Sequence, residues 1–545
     1  MKTKILPLFC FAFLALSGCS SKVAPSSTEG ATSVPGATTS VPGGTTTSTP
    51  SGSGTSSSDG TSPSYDDFWD SSSASTISLA FSNASLYALS DYGYNYDEKY
   101  ADAYFPATFK ATVKGKTYTY EDVGVRMKGN TSRAMIASKD GTISDLCHFK
   151  VSFKATFDDE IYSTSALSAF KRTWSDSTAR KARKNRRFAD MEKLDLKYLP
   201  RNESGSKDVT YNQEMYCYHV FNEEGIAAPK ARSTALSFKD DASSKSSSYE
   251  AIEAMDDVFI AHHFAAADQG GDLYKCSTYK SNNSYIKADM TISGALTSST
   301  SSAGLYNGSR ISQGKIGVVD CYSRYHPNYQ LKTNDDGEAS DFSKMSNFIL
   351  TLNNVKTGKS PQSALEKVLD VEEFLKFEGF SYALGNFDDQ RNNYNNYFVY
   401  FRSSDQKAVY IPYDWDWSFG ASVMGNDQAT SKPYHTSTTH DSSNTNPLYW
   451  CTILSNSSLS YSIASYRSVY SAMIKKLVSD GYLNSTTYSS YAKSLSGSTL
   501  AELSSVASYM ASKTSVIAAS LYGGEIESLG IPRFFFGVFL LSIGE

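Results

Sequence analysis

From Ser20 to Ser64 the chain is built almost wholly of Ser, Thr, Gly, Pro and Ala, and this tract confines everything that can fold to the residues after it. It carries a small tandem repeat, Thr32-Ser33-Val34-Pro35-Gly36 followed by Thr39-Ser40-Val41-Pro42-Gly43. Such a segment buries too little apolar surface to offset its chain entropy. As a flexible coil it spans about 35–40 Å on average. The rest of the 545 residues reads differently. The whole chain holds 38 Tyr and 29 Phe and is 40% apolar, enough for a sizeable core beyond the tract. A net charge of −5 gives no global basic field, which argues against a nucleic-acid binder.

Before the tract, Met1-Lys2-Thr3-Lys4 leads into an apolar run from Ile5 to Leu16 and then Leu16-Ser17-Gly18-Cys19. Two lysines, a short apolar stretch and small residues before a cysteine read as a secretory signal over residues 1–18. The run is too short to span a bilayer as a mature helix. Leu-Ser-Gly-Cys resembles a bacterial lipobox, which implies lipidation of Cys19. The expectation is a lipid-anchored protein of the bacterial cell envelope, outside the cytoplasm, with residues 19–64 as linker. Cys147, Cys217, Cys276, Cys321 and Cys451 remain, an odd number without a Cys-x-x-Cys pair. Zinc-ribbon and thioredoxin readings fail, and disulfide connectivity stays open.

The body from about Thr76 is expected to be α+β. Phe109–Val113, Lys116–Tyr120, Val123–Met127 and Phe149–Phe153 alternate with period two and read as strands. Thr210–Asn222 and Val371–Leu384 read as helices, with Gly225 just past the first. Tyr397–Phe401 and Ala408–Pro412 read as paired strands around a polar turn. Residues 76–455 form the expected main domain. Residues 456–525 form its helical end, with about three helices between Leu459 and Leu521. Thr291–Gly314 reads as a loop insertion. The tail 526–545 has an apolar stretch, Ile531–Leu541, to which no role is assigned.

No phosphate loop, His-Glu-x-x-His, Gly-x-Ser-x-Gly or Gly-x-Gly-x-x-Gly is present, nor the His-Arg-Asp and Asp-Phe-Gly set of ordinary kinases. The seven His are scattered apart from His262-His263. Acids and amides concentrate in two segments, Gly385-Asn386-Phe387-Asp388-Asp389-Gln390-Arg391-Asn392-Asn393-Tyr394-Asn395-Asn396-Tyr397 and Pro412-Tyr413-Asp414-Trp415-Asp416-Trp417-Ser418-Phe419-Gly420. On an extended chain Asp414 and Asp416 share a face, so both carboxylates can address one site. Acids among large aromatics call for a compensating cation, and hard oxygen ligands suit magnesium. Taken singly each segment reads rather as a turn rich in Asp and Asn, common turn residues. Together, separated by one strand pair, they favour a metal–nucleotide site.

These segments resemble the CotH kinase family, atypical protein kinases named for a spore-coat protein. Asn386-x-Asp388, Asn396-Tyr397 and Pro412-x-Asp414-x-Asp416-x-x-Phe419-Gly420 carry the likeness. Arg126-Met127-Lys128-Gly129-Asn130-Thr131-Ser132-Arg133, Asp208-x-x-Tyr211-x-x-Glu214, Gly225-Ile226-Ala227-Ala228-Pro229, Tyr249-x-x-Ile252-Glu253-x-x-Asp256, Gly271–Lys275 and Tyr329–Thr333 follow the family order, from about Phe109 to Gly420. The resemblance implies a two-lobed kinase-like fold that binds ATP with magnesium or manganese and phosphorylates Ser or Thr of a surface or coat-like protein. Carried over, Asp388 is the catalytic base or a metal ligand. Asp414 and Asp416 hold the metal, and Asn396 partners metal or phosphate. Lys128, Arg133, Lys150 and Lys275 are the nucleotide-binding cations, and Glu253 is an ion-pair partner for a lysine. The chain departs from the family where a Lys-Lys or Lys-Pro pair is usual: Cys147 or His148 stands there, leaving Lys150 alone.

Lys171–Arg187 holds eight cations against Asp176, which reads as a solvated face or as a dock for an acidic protein or anionic polymer. Two other functions are compatible with the residues. One is a non-catalytic surface adhesion or assembly module that keeps the fold. The other is a metal-dependent glycosyltransferase, since Asp-x-Asp with a metal also binds nucleotide diphosphates. The latter requires a parallel sheet, which the sequence does not suggest.

Overall fold

The computed structural model describes residues 62–94, 103–129, 132–198, 212–281, 284–292, 309–312, 315–318, 329–333, 343–386, 388–420, 428–433, 448, 464–497, 500 and 502–522. Cys19, residues 20–61, most of the 291–314 insertion and the 526–545 tail lie outside them.

Folding begins earlier than composition suggested, with a short helix α1 (Tyr65–Trp69) ahead of strand β1 (Ser75–Phe81). The buried Arg232 guanidinium donates to the carbonyls of Phe68 and Ser73 and ties this segment down. After α2 (Asn83–Tyr94) come β2 (Phe105–Val113), β3 (Lys116–Lys128) and β4 (His148–Ser152). Lys116–Tyr120 and Val123–Met127, two strands by periodicity, are one. A bulge in β3, where Glu121 and the positive-φ Asp122 stand opposite Thr108 of β2, lets pairing continue across the break in alternation. Helix α3 (Ser177–Lys184), β5 (Lys193–Tyr198), α4 (Gln213–Glu223), β6 (Ala231–Lys239) and β7 (Ser244–Glu253) follow. The strands close into a barrel in the order β1-β2-β3-β4-β5-β7-β6, the β1–β6 contact being parallel and the rest antiparallel. Closure leaves no free sheet edge. The inward residues, among them Leu79, Phe109, Val125, Phe149, Leu194 and Phe238, fill one core.

Beyond the barrel lie α5 (Asp257–His263), β8 (Leu273–Cys276), β9 (Tyr329–Leu331), α6 (Ser343–Lys356), α7 (Val371–Leu384), β10 (Tyr397–Phe401) and β11 (Ala408–Pro412). Helices α8 (Ala464–Ser479), α9 (Ser485–Ser494) and α10 (Leu503–Ile517) complete the described chain. Four strands pair antiparallel in the order β9-β8-β10-β11. Every residue of Tyr397–Phe401 and Ala408–Pro412 is buried, because both faces of this sheet are covered. Tyr397, Val399 and Tyr410 join the core with α4, α6, α7 and the last helices, while Phe398, Tyr400 and Ile411 pack with Phe259 of α5. Among the described residues no helix is long and apolar enough to cross a membrane, and Cys147, Cys217 and Cys276 are buried free thiols.

Helix α7 is delimited by its sequence. Asp370 caps its first turn by accepting from the Glu373 N–H at 3.2 Å. Gly385 ends it at φ 63°, its N–H bonded to the Ser381 carbonyl at 3.0 Å. A Cβ on Gly385 would lie 1.9 Å from the Tyr509 hydroxyl oxygen. The chain turns here into the acid- and amide-rich segment, so Gly385→Ala is expected to lower unfolding stability by about 2–3 kcal/mol in urea titration. A loss under about 0.5 kcal/mol would show that Tyr509 yields freely.

Candidate active site

Alternation along four neighbouring barrel strands sorts the residues into two sets. Val125, Met127, Phe149, Val151, Leu194, Leu196, Tyr249 and Ala251 point into the barrel core. The residues between them form an outward polar face: Lys128 on β3, His148 and Lys150 on β4, Asp195 and Lys197 on β5, Glu250 on β7. Pairing register sets Lys128 opposite His148, Lys150 opposite Asp195 and Lys197 opposite Glu250. Helix α4 and the residues after β11 cover this face. That is why Leu194–Lys197 is buried throughout although it alternates apolar and charged.

Lys197 is the centre of the covered face. Its ammonium lies 2.6 Å from Glu214 Oε2 on α4, against Asp414 Oδ1, and 3.0 Å from Asp416 Oδ2. Glu214 is oriented through its other oxygen, which accepts from the Tyr218 hydroxyl at 2.7 Å and the Trp415 N–H at 3.1 Å. The Tyr218 oxygen in turn accepts the Asp414 N–H at 2.8 Å. Extended geometry is not what joins the two aspartates: Asp414 sits at φ 58°, and residues 415–417 form a 3-10 turn. Burial works against the Lys197 charge, but Asp414, Asp416 and Glu214 outweigh it and hold its pKa well above the ordinary range. Burial likewise opposes the Asp414 charge, and the ammoniums of Lys197 and Lys128 prevail to keep this carboxyl below its usual range. Glu250 is fully buried, and neither carboxyl oxygen has a hydrogen-bond partner. Burial and the adjacent Glu214 push its pKa well up.

A second cluster lies one strand over. Asp195 takes Lys128 at 3.1 Å on one oxygen and Lys150 at 3.2 Å on the other. The Tyr413 hydroxyl donates to Asp195 at 2.9 Å and accepts from Lys128 at 2.5 Å. Lys275 of β8 lies 6.0 Å from the Tyr413 ring centroid. Burial and the Lys128 charge lower its pKa to about 8, against the pull of Asp414.

The third part is the loop after Gly385. Asp388 accepts from the side-chain amides of Asn393 at 2.7 Å, Asn396 at 2.9 Å and Asn395 at 3.3 Å. Its N–H donates to Asn386 Oδ1 at 3.0 Å. Asp389 caps the turn beneath, accepting the N–H groups of Arg391 and Asn392 at 3.0 and 2.9 Å. Asn386 Nδ2 donates to the Asp414 carbonyl at 3.4 Å, and the Tyr413 N–H to the Asn396 carbonyl at 3.2 Å. The loop is thus fastened to the Asp414 segment. Burial raises the Asp388 pKa to about 6; the Asn393 amide opposes this, and the nearby Asp414 and Asp416 charges add to it.

Of the residues expected from sequence, Lys128, Lys150, Lys275, Asp388, Asn396, Asp414 and Asp416 come together here. Arg133 donates to the carbonyls of Gly129 and Gly93 at 2.6 and 2.7 Å. Glu253 stands in a different set, accepting from the Tyr65 hydroxyl at 2.6 Å and the Lys230 N–H at 3.1 Å, with His263 at 2.7 Å. Cys19 lies outside the described residues. Sequence reasoning missed Lys197 and Asp195, and quoted Glu214 without giving it a role. The available signal was Lys193–Tyr198, where Leu alternates with charge. The 171–187 segment is α3 and its flanks. Arg180 pairs with Asp158, Arg187 pairs with Glu192, and Arg183 and Arg186 donate to the Asp122 carbonyl.

The covered face sets a stability requirement. Lys197→Met leaves Glu214, Asp414 and Asp416 facing one another without their shared cation, and should cost about 3–5 kcal/mol by denaturant unfolding near neutral pH. The deficit should shrink at pH 4, where the carboxylates begin to protonate. A pH-independent loss would place the cost in packing.

The sequence profile of the CotH kinase protein family matches residues 165–504, more than half of the chain. Comparison with curated proteins gives no match. The matched range contains Asp195, Lys197, Glu214, Lys275, Asp388, Asn396, Asp414 and Asp416, and it runs past the Gly420 limit of the motif likeness through α8 and α9 to the start of α10. Lys128, Arg133 and Lys150 precede it. The chain belongs to the CotH kinase family.

Proposed function

We propose that this protein is an ATP- and magnesium-dependent kinase with a two-lobed kinase-like fold. In this reading it phosphorylates Ser or Thr of a surface-associated protein, held to the bacterial cell envelope by lipid at Cys19. One observation carries the proposal: a strand lysine, Lys197, paired with a helix glutamate, Glu214, is set against Asp414 and close to Asp388. Protein kinases place the same parts together, namely a strand Lys, a helix Glu, a metal-binding Asp and a catalytic Asp.

The donor set suits a hard divalent cation. Glu214, Asp414 and Asp416 each offer a carboxylate oxygen within 4.8 Å of the others. The side chains of Asp414 and Asp416 keep 38% and 20% of their surface exposed, against 3% for Glu214, so the aspartates are the reachable ligands. Magnesium there supplies charge neutralisation for the phosphates. Lys128, Lys150 and Lys275 hold phosphate oxygens, and the Asn396 amide keeps Asp388 oriented. Asp388 accepts the proton of the acceptor hydroxyl. That oxygen then bonds to the γ-phosphorus as the bond to the β-phosphate oxygen breaks and ADP leaves. An anionic polymer or acidic protein at residues 171–187 would meet the exposed Lys181 and Lys184, the neighbouring arginines being engaged internally.

The test is transfer of labelled phosphate from ATP, with magnesium or manganese, by the full chain to a Ser/Thr-rich acceptor. Asp388→Ala and Asp414→Ala should each lose about 100-fold or more. No transfer and no nucleotide-induced thermal shift would leave a surface module that keeps the fold. A second outcome concerns pH. Asp388 must be ionised to accept a proton, and a cation bound at Asp414 would bring its raised pKa back down. The acid limb of the rate should therefore fall at or below about 6. A limb above pH 7 would assign the base elsewhere.

A further inference from the structure

Three side-chain amides hold the Asp388 carboxylate, but they belong to the same loop and cannot fix where that loop sits. The anchor is Asn392. It is 1% exposed, and both polar atoms of its side chain are bonded. Its Nδ2 donates to the Asn386 carbonyl and to Asp389 Oδ1, both at 2.9 Å. Its Oδ1 accepts from Gln428 Nε2 at 3.3 Å. The bond to the Asn386 carbonyl closes residues 386–392 into a ring that contains Asp388. Asn386 in turn accepts the Asp388 N–H and donates to the Asp414 carbonyl, so one amide group governs both ends of the link between the loop and the Asp414 turn.

Gln428 ties this ring to a different part of the chain. It is itself 1% exposed, lies beyond the Asp414–Asp416 turn, and also accepts from Arg391 Nη2 at 3.5 Å. Its segment is fixed through Ser431. The Ser431 carbonyl accepts the Tyr382 hydroxyl of α7 at 2.8 Å, and the Ser431 hydroxyl accepts from Lys513 of α10 at 3.1 Å. Buried amides are favourable only when their donors and acceptors are met, so the loop is held to one arrangement by groups outside it.

We propose that Asn392 is a positioning residue for phosphoryl transfer: its carboxamide, held by Gln428, sets where Asp388 stands relative to the Asp414 turn. This assignment rests on the reading of Asp388 as the base and adds a residue to which the motif likeness gave no role. A base must stand within hydrogen-bond reach of the proton it takes, and a displacement of about 1 Å can cost about 100-fold in rate.

The test uses the full chain and three measurements: steady-state transfer from ATP, binding of a non-hydrolysable ATP analogue with magnesium, and nitrogen-15 spectra of the side-chain amides. Asn392→Ala should lower kcat about 10- to 100-fold while the KM for ATP and the analogue affinity stay within about two-fold. Gln428→Met keeps the side-chain length and removes its bonds to the loop; it should show the same split at about 3- to 10-fold in kcat, as expected for neutral hydrogen bonds. It decides the question where Asn392→Ala is too unstable to assay. Without nucleotide or metal, the Asn393 and Asn396 amide resonances should be displaced in both variants, because these amides donate to Asp388. A lower melting temperature with unchanged kcat and undisplaced resonances would make Asn392 a purely structural residue and overturn the assignment, leaving the kinase reading standing. A wild type that transfers no phosphate would overturn the kinase reading and this assignment with it.

Discussion

The Lys197 ammonium, shared by Glu214, Asp414 and Asp416, is the interaction on which the rest of the site depends. The carboxylates come from two places: Glu214 from α4, and the two aspartates from the turn after β11. Removing such groups from water is favourable only when charge and hydrogen bonds are satisfied together. The barrel wall, α4 and the Asp414 turn must therefore be in place at once.

From this centre two further networks extend through neighbouring residues. Tyr413, next to Asp414, meets Asp195 and Lys128 with its hydroxyl and the Asn396 carbonyl with its N–H. The Asp414 carbonyl accepts from Asn386, which also positions Asp388. The lysines around Asp195, the acids around Lys197 and a carboxylate of raised pKa are thus joined through two consecutive residues. A change at position 413 or 414 is transmitted to all three, so these residues define the site more sharply than any single motif.

Much of the local structure was legible because local physics set it. Helix α7 carries its own N-cap and glycine stop, and β10 and β11 are short apolar runs around a polar turn. The roles of individual cations were not legible in the same way. Lys128 and Lys150 look like solvated strand residues until β5 brings Asp195 between them. Glu253 meets the Tyr65 hydroxyl, the Lys230 N–H and His263. It lies three positions from Glu250 on the same strand, and odd spacing along a strand turns a side chain to the opposite face. Arg133 was plausible by spacing, but two backbone carbonyls claim it. The arginines of 171–187, dense in sequence, are mostly engaged by internal acids and carbonyls.

The sequence by itself determined that the body mixes strands and helices, and that acids and amides gather on either side of one strand pair. These follow from composition, periodicity and capping, which act over a few residues. Tertiary structure decided which charged groups meet. Barrel closure set the register that puts Lys197 opposite Glu250, and the covering helix brought Glu214 to the same ammonium. Pairing register and layer contacts join residues far apart in the chain, and no local pattern encodes which buried cation will answer which buried acid.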